Sequence, residues 1–363
     1  MTELQKARQI INETDRQMAE LFEKRMTAVK QVAEYKRLHG MQVFDPQREA
    51  EVIKRNSALM ENEELKSYYV TFLQNNMEIS KGYQHRILEG MRIAFSGVKG
   101  AFAEVAAKKI FPDGVAVPFG DFKSAYNSVV DGVCDCAILP IENSFNGDVG
   151  QVMDLAFFGS LYISGIYDIG VIQNLIAKEG TRLEDIREVI SHPQALGQSA
   201  EFIKKHNLKT NESINTAVAV KQVAESDRKD IAAIGSIEAA REYGLKVIAP
   251  NINESNSNTT RFAVFSRTMK QASKEDNHFI MLFTVNNEAG ALGKAISIIG
   301  DRGFNLKALK SRPTKELVWS YYFYAEGEGN INSEKGKEML RELRQKCSEI
   351  KVLGSFEKEI TLK

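Results

Sequence analysis

Residues 4–36, LQKARQIINETDRQMAELFEKRMTAVKQVAEYK, decide how the first part of this chain folds. One row in this stretch recurs at every seventh position and is apolar except for a single arginine: Leu4, Ile11, Met18, Arg25 and Val32. A second, largely apolar row runs beside it, so the spacing predicts one long helix with the apolar stripe of a coiled coil. A charge on a buried face is costly unless an opposite charge meets it. An anionic ligand would therefore explain Arg25.

The adjacent row of the same helix carries two more cations, Arg8 and Lys36, which are 28 positions apart. That separation is about 42 Å along a straight helix, and Arg8 and Arg25 are about 25 Å apart on the same measure. No small ligand bridges Arg8 and Lys36 on one helix, so Arg8 can join their site only from an antiparallel partner chain. The pattern predicts an intertwined helical dimer with two mixed sites. On spacing alone, a dimerisation bundle with surface charges explains the pattern equally well.

Length and composition limit the possible functions. A chain of 363 residues has room for two or three domains. Lys+Arg and Asp+Glu both number 48, so no net charge favours nucleic acid or an anionic membrane as a partner. No apolar run approaches the length of a membrane span, and the charged N-terminus does not read as a signal peptide. Cys134, Cys136 and Cys347 suggest neither a disulfide framework nor a metal site, which favours a reducing cytoplasm.

The hydrophobic pattern divides the chain into three parts. Residues 1–90 show helical patterns only, with a second helix that opens at Asp45-Pro46 and a third that Gly90 ends. Residues 91–269 alternate short apolar runs with helical stretches, which predicts an α/β domain. After a polar linker, the pattern of residues 277–363 predicts the order strand–helix–strand–strand–helix–strand, with the third strand at 318–325. This is the order of the α+β ferredoxin-like fold.

The helical part carries a polar set at matched spacings. Ser80 and Gln84 share one face of the third helix, and the second helix opens with several charged groups. Eight residues match, position by position, the active-site pattern of the all-helical chorismate mutase family: Arg8, Arg25, Lys36, Asp45, Arg48, Glu49, Ser80 and Gln84. This resemblance covers about 90 residues and implies the rearrangement of chorismate to prephenate, a pericyclic step without a nucleophile or general base.

The resemblance also assigns roles to these residues. Arg25 and Arg8 of the partner subunit would grip the two carboxylates, and Lys36 and Gln84 would hydrogen-bond the ether oxygen. Glu49 and Asp45 would engage the hydroxyl side of the substrate. Arg48 and Ser80 would complete the polar shell.

Three segments of the α/β part are rich in polar residues; the first two follow strands, and the third is a polar loop that enters a strand. They are Leu139-Pro-Ile-Glu-Asn-Ser-Phe-Asn-Gly147, Ser191-His-Pro-Gln-Ala-Leu-Gly-Gln198 and Asn258-Thr-Thr-Arg-Phe262. With Asn215-Thr216-Ala217 and Tyr243-Gly244-Leu245 they resemble, in order, the motifs of prephenate dehydratases. The resemblance implies two α/β lobes similar to periplasmic binding proteins, with the active site in the cleft between them. It implies that prephenate loses carbon dioxide and hydroxide together to give phenylpyruvate.

This chemistry needs a proton donor for the leaving hydroxyl, and polar groups for the carboxylates, but no cofactor or metal. The resemblance assigns the donor role to Thr260, and Glu142 is the rival if burial raises its pKa. Arg261 is either a carboxylate ligand or part of a structural ion pair. The remaining substrate-pocket candidates are Asn143, Ser144, Ser191, Gln198 and Phe262. A lone histidine such as His192 is more often structural than catalytic. The glycine-bearing turn before residue 102 departs from the family, with alanines at 101 and 103.

Two segments of the last part resemble the effector-binding segments of ACT regulatory domains, which bind phenylalanine between paired domains. The predicted effector residues are Gly290, Ala291, Leu292, Ser311, Arg312 and Pro313. Lys310 stands where such domains usually carry an acidic residue, and Gly293 where they carry an aliphatic one. A ferredoxin-like dimerisation domain without an effector is the alternative.

Together these features resemble the bifunctional chorismate mutase–prephenate dehydratase family. The resemblance implies a multidomain homo-oligomer, a dimer or larger, with chorismate and prephenate as substrates and phenylalanine as effector. The expected domains are 1–90, 91–269 and 277–363. An arogenate dehydratase and a non-catalytic amino-acid sensor remain alternatives. A tyrosine-branch dehydrogenase would need a nicotinamide fingerprint, which the sequence lacks.

Overall fold

The fold is described from a computed structural model for residues 1–254, 258–314 and 321–362. Contacts divide the chain into two units. One unit is Met1–Arg92 with Asp131–Asp135, and the other is Ile93–Val130 with Cys136–Lys363. Within the described residues, no helix combines the length and apolarity that crossing a membrane requires.

Three helices form the first unit: α1 (Glu3–Leu38), α2 (Pro46–Ser57) and α3 (Glu63–Glu89). The predicted boundaries are confirmed by their caps. The side chain of Asp45 accepts from the amide of Arg48 just before α2, with proline at the first helical position. Gly90 ends α3 with a φ of 93°, which a residue with a Cβ rarely adopts. Helix α3 packs against both α1 and α2.

The apolar stripe of α1 is uncovered within the described chain. Its large heptad residues are 44–59% exposed: Leu4, Ile11, Met18 and Val32. Ala33 is the one residue of α1 that is buried. An apolar face of this length is normally covered by another protein surface.

The second unit begins with two α/β lobes built around separate sheets. Its elements are β1 (Arg92–Ser96), α4 (Phe102–Ile110), β2 (Val115–Phe119), α5 (Phe122–Val130), β3 (Cys136–Asn143), β4 (Gly147–Asp148), α6 (Gly150–Phe158), β5 (Tyr162–Gly170), β6 (Asn174–Ala177), β7 (Glu188–Ser191), α7 (Pro193–Gly197), α8 (Ala200–Lys205), β8 (Lys209–Glu212), α9 (Thr216–Glu225), β9 (Ile231–Gly235), α10 (Ile237–Glu242), β10 (Lys246–Ala249) and β11 (Thr259–Ser266). A short 3₁₀ turn spans Leu183–Asp185.

The first lobe contains the sheet β16-β5-β11-β3-β1-β2, in which β16 is the strand Ile360–Leu362 and β4 pairs with β3. The second lobe contains the sheet β10-β6-β9-β7-β8. The chain crosses from the first lobe to the second after β5 and returns before β11. The strands predicted from the short apolar runs are confirmed as β1, β3, β7 and β9. Strands β3 and β9 are buried along most of their length, as expected for sheets covered on both faces.

The last part of the chain forms a third sheet, with order β13-β14-β12-β15. Its elements are β12 (His278–Val285), α11 (Ala291–Asp301), β13 (Asn305–Pro313), β14 (Tyr321–Glu328), α12 (Glu334–Leu343), β15 (Cys347–Phe356) and β16 (Ile360–Leu362). The predicted βαββαβ order is confirmed. The first residues of the predicted third strand, 318–320, lie outside the described residues. Strand β16 returns to pair in parallel with β5 of the first lobe, a contact that the sequence did not predict.

Candidate active sites

A cavity of about 260 Å³ lies among the three helices of the first unit. Seven of the eight residues predicted for this site line it: Arg25, Lys36, Asp45, Arg48, Glu49, Ser80 and Gln84. They come from all three helices and from the turn before α2, so the fold gathers residues that are up to 59 positions apart in the sequence. The predicted grouping is therefore present in the structure.

The α1 cations are held at the cavity by short polar contacts. The guanidinium of Arg25 donates to the Ser80 hydroxyl and, at 3.4 Å, to the backbone oxygen of Asn76. Burial lowers the pKa of Arg25 from its usual value. The Lys36 ammonium donates to the backbone oxygen of Val43 at 2.6 Å. The buried side-chain oxygen of Gln84 has no partner among the described groups, which leaves it available to a ligand.

The cavity carries an excess of positive charge. Its described lining contains four cations, Arg25, Lys36, Arg48 and Lys81, against two carboxylates, so the formal balance is 4 − 2 = +2. Sequence reasoning missed Lys81. Its ammonium lies 3.0 Å from Glu49 and 2.7 Å from Glu78. Burial alone would lower the pKa of Lys81, but these hydrogen bonds raise it above its usual value. The sequence offered one indication that Lys81 belongs to the site, because Lys81 directly follows Ser80 on the helix that carries the polar set.

Arg8 is the one predicted mutase residue outside this cavity. It lies in the exposed first half of α1. Because α1 is unbroken over 36 residues, Arg8 stays about 25 Å from Arg25 in the same chain.

A second cavity, of about 470 Å³, lies in the cleft between the two α/β lobes. Four predicted residues line it, Asn143, Gln198, Thr260 and Phe262. Residues from the second lobe and the crossover complete the wall, including His192, Gln194, Asn215, Thr216 and Gln173. His192 also caps α7 by accepting from the amide of Gln194 at 3.3 Å. Gln173 belongs to the crossover and had no signal in the sequence.

Asn143 and Thr260 form the central pair of the cleft. They are direct neighbours across the antiparallel strands β3 and β11. The Asn143 amide nitrogen donates to the Thr260 hydroxyl at 3.0 Å, while its oxygen accepts from Gln194 at 3.2 Å and from two backbone amides of the following turn. Because Asn143 donates to Thr260, the Thr260 hydroxyl proton can be donated elsewhere.

Helix N-termini supply the positive potential of this cleft. Ala101, Val149 and Asn215, the caps of α4, α6 and α9, all line it. Partial positive charge and unpaired amides make such termini suitable for anions. The described lining residues include no lysine or arginine, and Asp148 is the one carboxylate among them. Anion binding here would rest on amides and helix ends.

Four predicted residues of the dehydratase set do not line the described cleft wall: Glu142, Ser144, Ser191 and Arg261. Ser191 is fully buried and donates to the backbone oxygen of Ile234 at 2.7 Å. The Ser144 hydroxyl accepts from the amide of Thr259 at 3.0 Å. Glu142 and Arg261 pair with each other at 3.3 Å. The geometry therefore supports structural contacts for these residues, and the structural alternative for Arg261 fits better than direct substrate binding.

The predicted effector segments lie on neighbouring elements, because α11 packs against β13. Gly290 caps α11 with a φ of 78°, and Ala291 and Leu292 open that helix. Ser311, Arg312 and Pro313 end β13. The Arg312 guanidinium donates to both carboxylate oxygens of Asp154 on α6, at 2.9 and 3.2 Å.

Comparisons with known proteins match the two regions of the chain that contain these cavities. A prephenate dehydratase family model matches residues 93–270, and a chorismate mutase type II model matches residues 7–85. Arogenate dehydratase/prephenate dehydratase 2 of Arabidopsis thaliana is 33% identical over 75% of this chain and 74% of its own length. The bifunctional chorismate mutase/prephenate dehydratase of Buchnera aphidicola subsp. Acyrthosiphon pisum (strain APS) is 29% identical over 96% of this chain and 95% of its own length.

Two solved structures extend the comparison to the fold. The prephenate dehydratase of Arthrobacter aurescens, solved in complex with L-Phe, is 26% identical with a TM-score of 0.68, covering 74% of this chain and 90% of that one. GqqA, described as a novel type of quorum quenching acylase, is 29% identical with a TM-score of 0.69, covering 75% of this chain and 98% of that one. The chain belongs to the prephenate dehydratase family, in the bifunctional form that also carries a chorismate mutase domain.

Proposed function

We propose that this protein rearranges chorismate to prephenate in its helical unit and converts prephenate to phenylpyruvate in the cleft between its α/β lobes, as an enzyme of phenylalanine biosynthesis. One observation carries the proposal: two separate sets of motif residues gather at two separate cavities, one rich in cations and one rich in amides and helix N-termini.

In the helical cavity, catalysis consists of holding the substrate in a compact conformer and stabilising the charge that develops on its ether oxygen. Arg25 binds a carboxylate, and the Lys36 ammonium and the Gln84 amide nitrogen donate to the ether oxygen, while the Gln84 oxygen can accept from a hydroxyl. Asp45 and Glu49 take the hydroxyl side, with Arg48 and Ser80 beside them. The excess of two positive charges in the lining suits a dicarboxylate.

The second carboxylate would be met by Arg8 of a partner subunit in an intertwined dimer. Two observations support this arrangement. The apolar stripe of α1 is exposed within the chain, with Leu4 and Ile11 each more than half exposed. Arg8 lies near the end of this stripe, too far from its own cavity to contribute to it. An antiparallel pairing would cover the stripe and bring each Arg8 to the opposite cavity.

In the cleft, Thr260 is the proton donor for the leaving hydroxyl. The Thr260 oxygen accepts the hydrogen bond from Asn143, which leaves its own proton free to be donated to a substrate in the cavity. A threonine hydroxyl is a weak acid, so it donates as the hydroxide departs rather than before. The caps of α4, α6 and α9, with Gln198 and Phe262, form the pocket that receives the substrate.

We further propose domain limits of 1–90, 91–269 and 277–363, with the last an ACT domain that binds phenylalanine as a feedback effector through the segments at 290–292 and 311–313. Three cysteines that are buried as thiols support a reducing cytoplasm as the location. Arogenate is the alternative substrate of the cleft, and the name of the Arabidopsis relative gives both activities.

A coupled assay from chorismate to phenylpyruvate tests the proposal, run with and without phenylalanine. The intact chain should form prephenate and then phenylpyruvate, and phenylalanine should slow the second step. Parallel reactions with prephenate and arogenate would identify the preferred substrate of the cleft. Saturable binding of an amino acid without formation of either product would instead indicate a non-catalytic sensor.

A further inference from the structure

An ionic network lies directly behind the central pair of the dehydratase cleft. Asn143 and Thr260 form one rung of the β3–β11 ladder, and Glu142 and Arg261 form the next. Because successive side chains of a strand point to opposite faces, the first rung faces the cleft and the second faces away from it. Arg261 is 2.7 Å from Glu326 of β14, so the second rung reaches the ferredoxin-like sheet.

Lys310 connects the same sheet to the cleft wall. Its ammonium lies 3.1 Å from Glu142 and 2.5 Å from Asp148, and its side chain is only 17% exposed. Lys310 belongs to β13, the strand that also carries the predicted effector residues 311–313. One cation of this strand therefore touches both strands of the β3–β4 hairpin.

The two carboxylates that Lys310 joins are direct neighbours across that hairpin. Glu142 pairs with Asp148, and Asn143 pairs with Gly147. Like charges directly opposite each other on neighbouring strands destabilise the pairing. Strand β4 has only two residues, so few other contacts oppose this repulsion. Removing the ammonium would take this cation away from Asp148 and leave Glu142, among the described ion pairs, with its 3.3 Å contact to Arg261 alone, so the two neighbouring carboxylates would repel each other more strongly.

The position of the β3–β4 hairpin affects the geometry of the cleft, because residues of the hairpin form one wall of the cavity. Asn143, Gly147 and Asp148 line the cavity, and Asn143 orients the Thr260 hydroxyl. A displacement of the hairpin would move the donor pair relative to the substrate. Misplacements of about 1 Å can reduce catalysis as much as 100-fold.

We propose that Lys310 is a positioning residue of the dehydratase site. Its ammonium keeps the paired carboxylates of Glu142 and Asp148 together and thereby fixes the positions of Asn143 and Thr260. This inference rests on the proposed dehydratase function. In this arrangement strand β13, which carries the predicted effector residues 311–313, also supports the wall of the cleft directly. Lys310 does not line the cavity among the described residues, so it acts through the hairpin rather than on the substrate.

Kinetics of the intact chain on prephenate test this role. In Lys310→Met, which keeps the length of the side chain, kcat should fall about 10- to 100-fold while KM changes less than about twofold. Lys310→Arg should recover most of kcat. The matched control is Arg302→Met, because the ion pairs of Arg302 with Glu338 and Glu342 stay within the ferredoxin-like module. That control should keep the wild-type kcat.

A second variant separates positioning from folding. Lys310→Met combined with Asp148→Asn removes the repulsion as well as the cation, so it should recover kcat relative to Lys310→Met alone, with Asp148→Asn by itself measuring any loss that comes from changing this residue of the cleft wall. Unchanged kcat in Lys310→Met, a rise in KM alone, or no recovery in the double variant would each overturn the inference. Absence of prephenate turnover by the wild-type chain would instead refute the dehydratase function. Mutase turnover in the same samples serves as the internal check on the amount of folded enzyme.

Discussion

Two variants that are each nearly inactive as a mutase should form an active mutase site when their chains are mixed. The perturbation pairs an Arg8→Ala chain with an Arg25→Ala chain. Helix α1 runs without a break from Glu3 to Leu38, so the separation of 17 positions places the two arginines about 25 Å apart. One bound substrate cannot contact both on the same helix. In the shared-site arrangement, each cavity takes Arg25 from one chain and Arg8 from the other.

The size of the effect follows from the charges and the symmetry. Loss of one partner of a buried charge pair costs about 2–5 kcal/mol, so each variant alone should lose roughly 30-fold or more of mutase activity. Random mixing gives about half heterodimers, and each heterodimer has one intact and one doubly defective site. The mixture should therefore recover about one quarter of wild-type activity, and the purified heterodimer about one half.

The assay measures chorismate consumption in co-expressed, differently tagged chains after purification of the heterodimer. Arg16→Ala is the control for removing an exposed arginine of the same helix, because Arg16 pairs only locally with Glu13 among the described contacts. It should keep wild-type activity. Purified heterodimers without mutase activity, or a fully active Arg8→Ala homodimer, would refute the shared site.

Three further changes test the separate sites and the ionic network. Lys36→Ala should abolish mutase turnover and leave phenylpyruvate formation from prephenate intact; loss of both would contradict independent sites. Thr260→Ala should do the reverse with Thr260→Ser as its control, and near-normal phenylpyruvate formation would remove Thr260 from the mechanism. Burial and the adjacent Glu359 raise the pKa of Glu326 from 4.5 to about 7, against the opposing effect of Arg261. The folded state then binds more protons than the unfolded state, so up to about 3 kcal/mol of stability should be lost as pH rises through this range. Melting temperatures from pH 5 to 8 should fall less in Glu326→Gln, and parallel curves for variant and wild type would contradict the assignment.

The helical unit was largely predictable because its signals are local. The Asp45-Pro46 start and the Gly90 stop follow from capping chemistry, and the heptad row gives the length of α1. The residues of the cavity were predictable from a match of spacings across three helices. Lys81 was missed because a lysine beside a polar set is ordinarily a solvated surface residue.

The α/β part was predictable in its strands but not in its long-range contacts. Period-two alternation along β11 already separates Thr260 and Phe262 from Arg261, so the sequence held the information that Arg261 faces away from the cleft. It could not supply the partners of Arg261. Glu326 lies 65 residues further along the chain, and the final strand β16 has no local feature that indicates its pairing with β5.

The two cavities offer different groups to their anionic substrates: cations in the helical cavity, and amides and helix N-termini in the cleft. The chemistry of each step accounts for this difference. In the mutase step both carboxylates persist from substrate to product, so cations such as Arg25 can hold them throughout without opposing the reaction. In the dehydratase step one carboxylate leaves as neutral carbon dioxide. A strong ion pair to that group would be lost on the way to the transition state and would therefore stabilise the substrate more than the transition state. A cleft of amides and helix N-termini, with the nearest guanidinium turned toward Glu326 on the other face of the sheet, avoids this penalty. Arg261, which faces away from the cleft, cannot impose this penalty on the departing carboxylate.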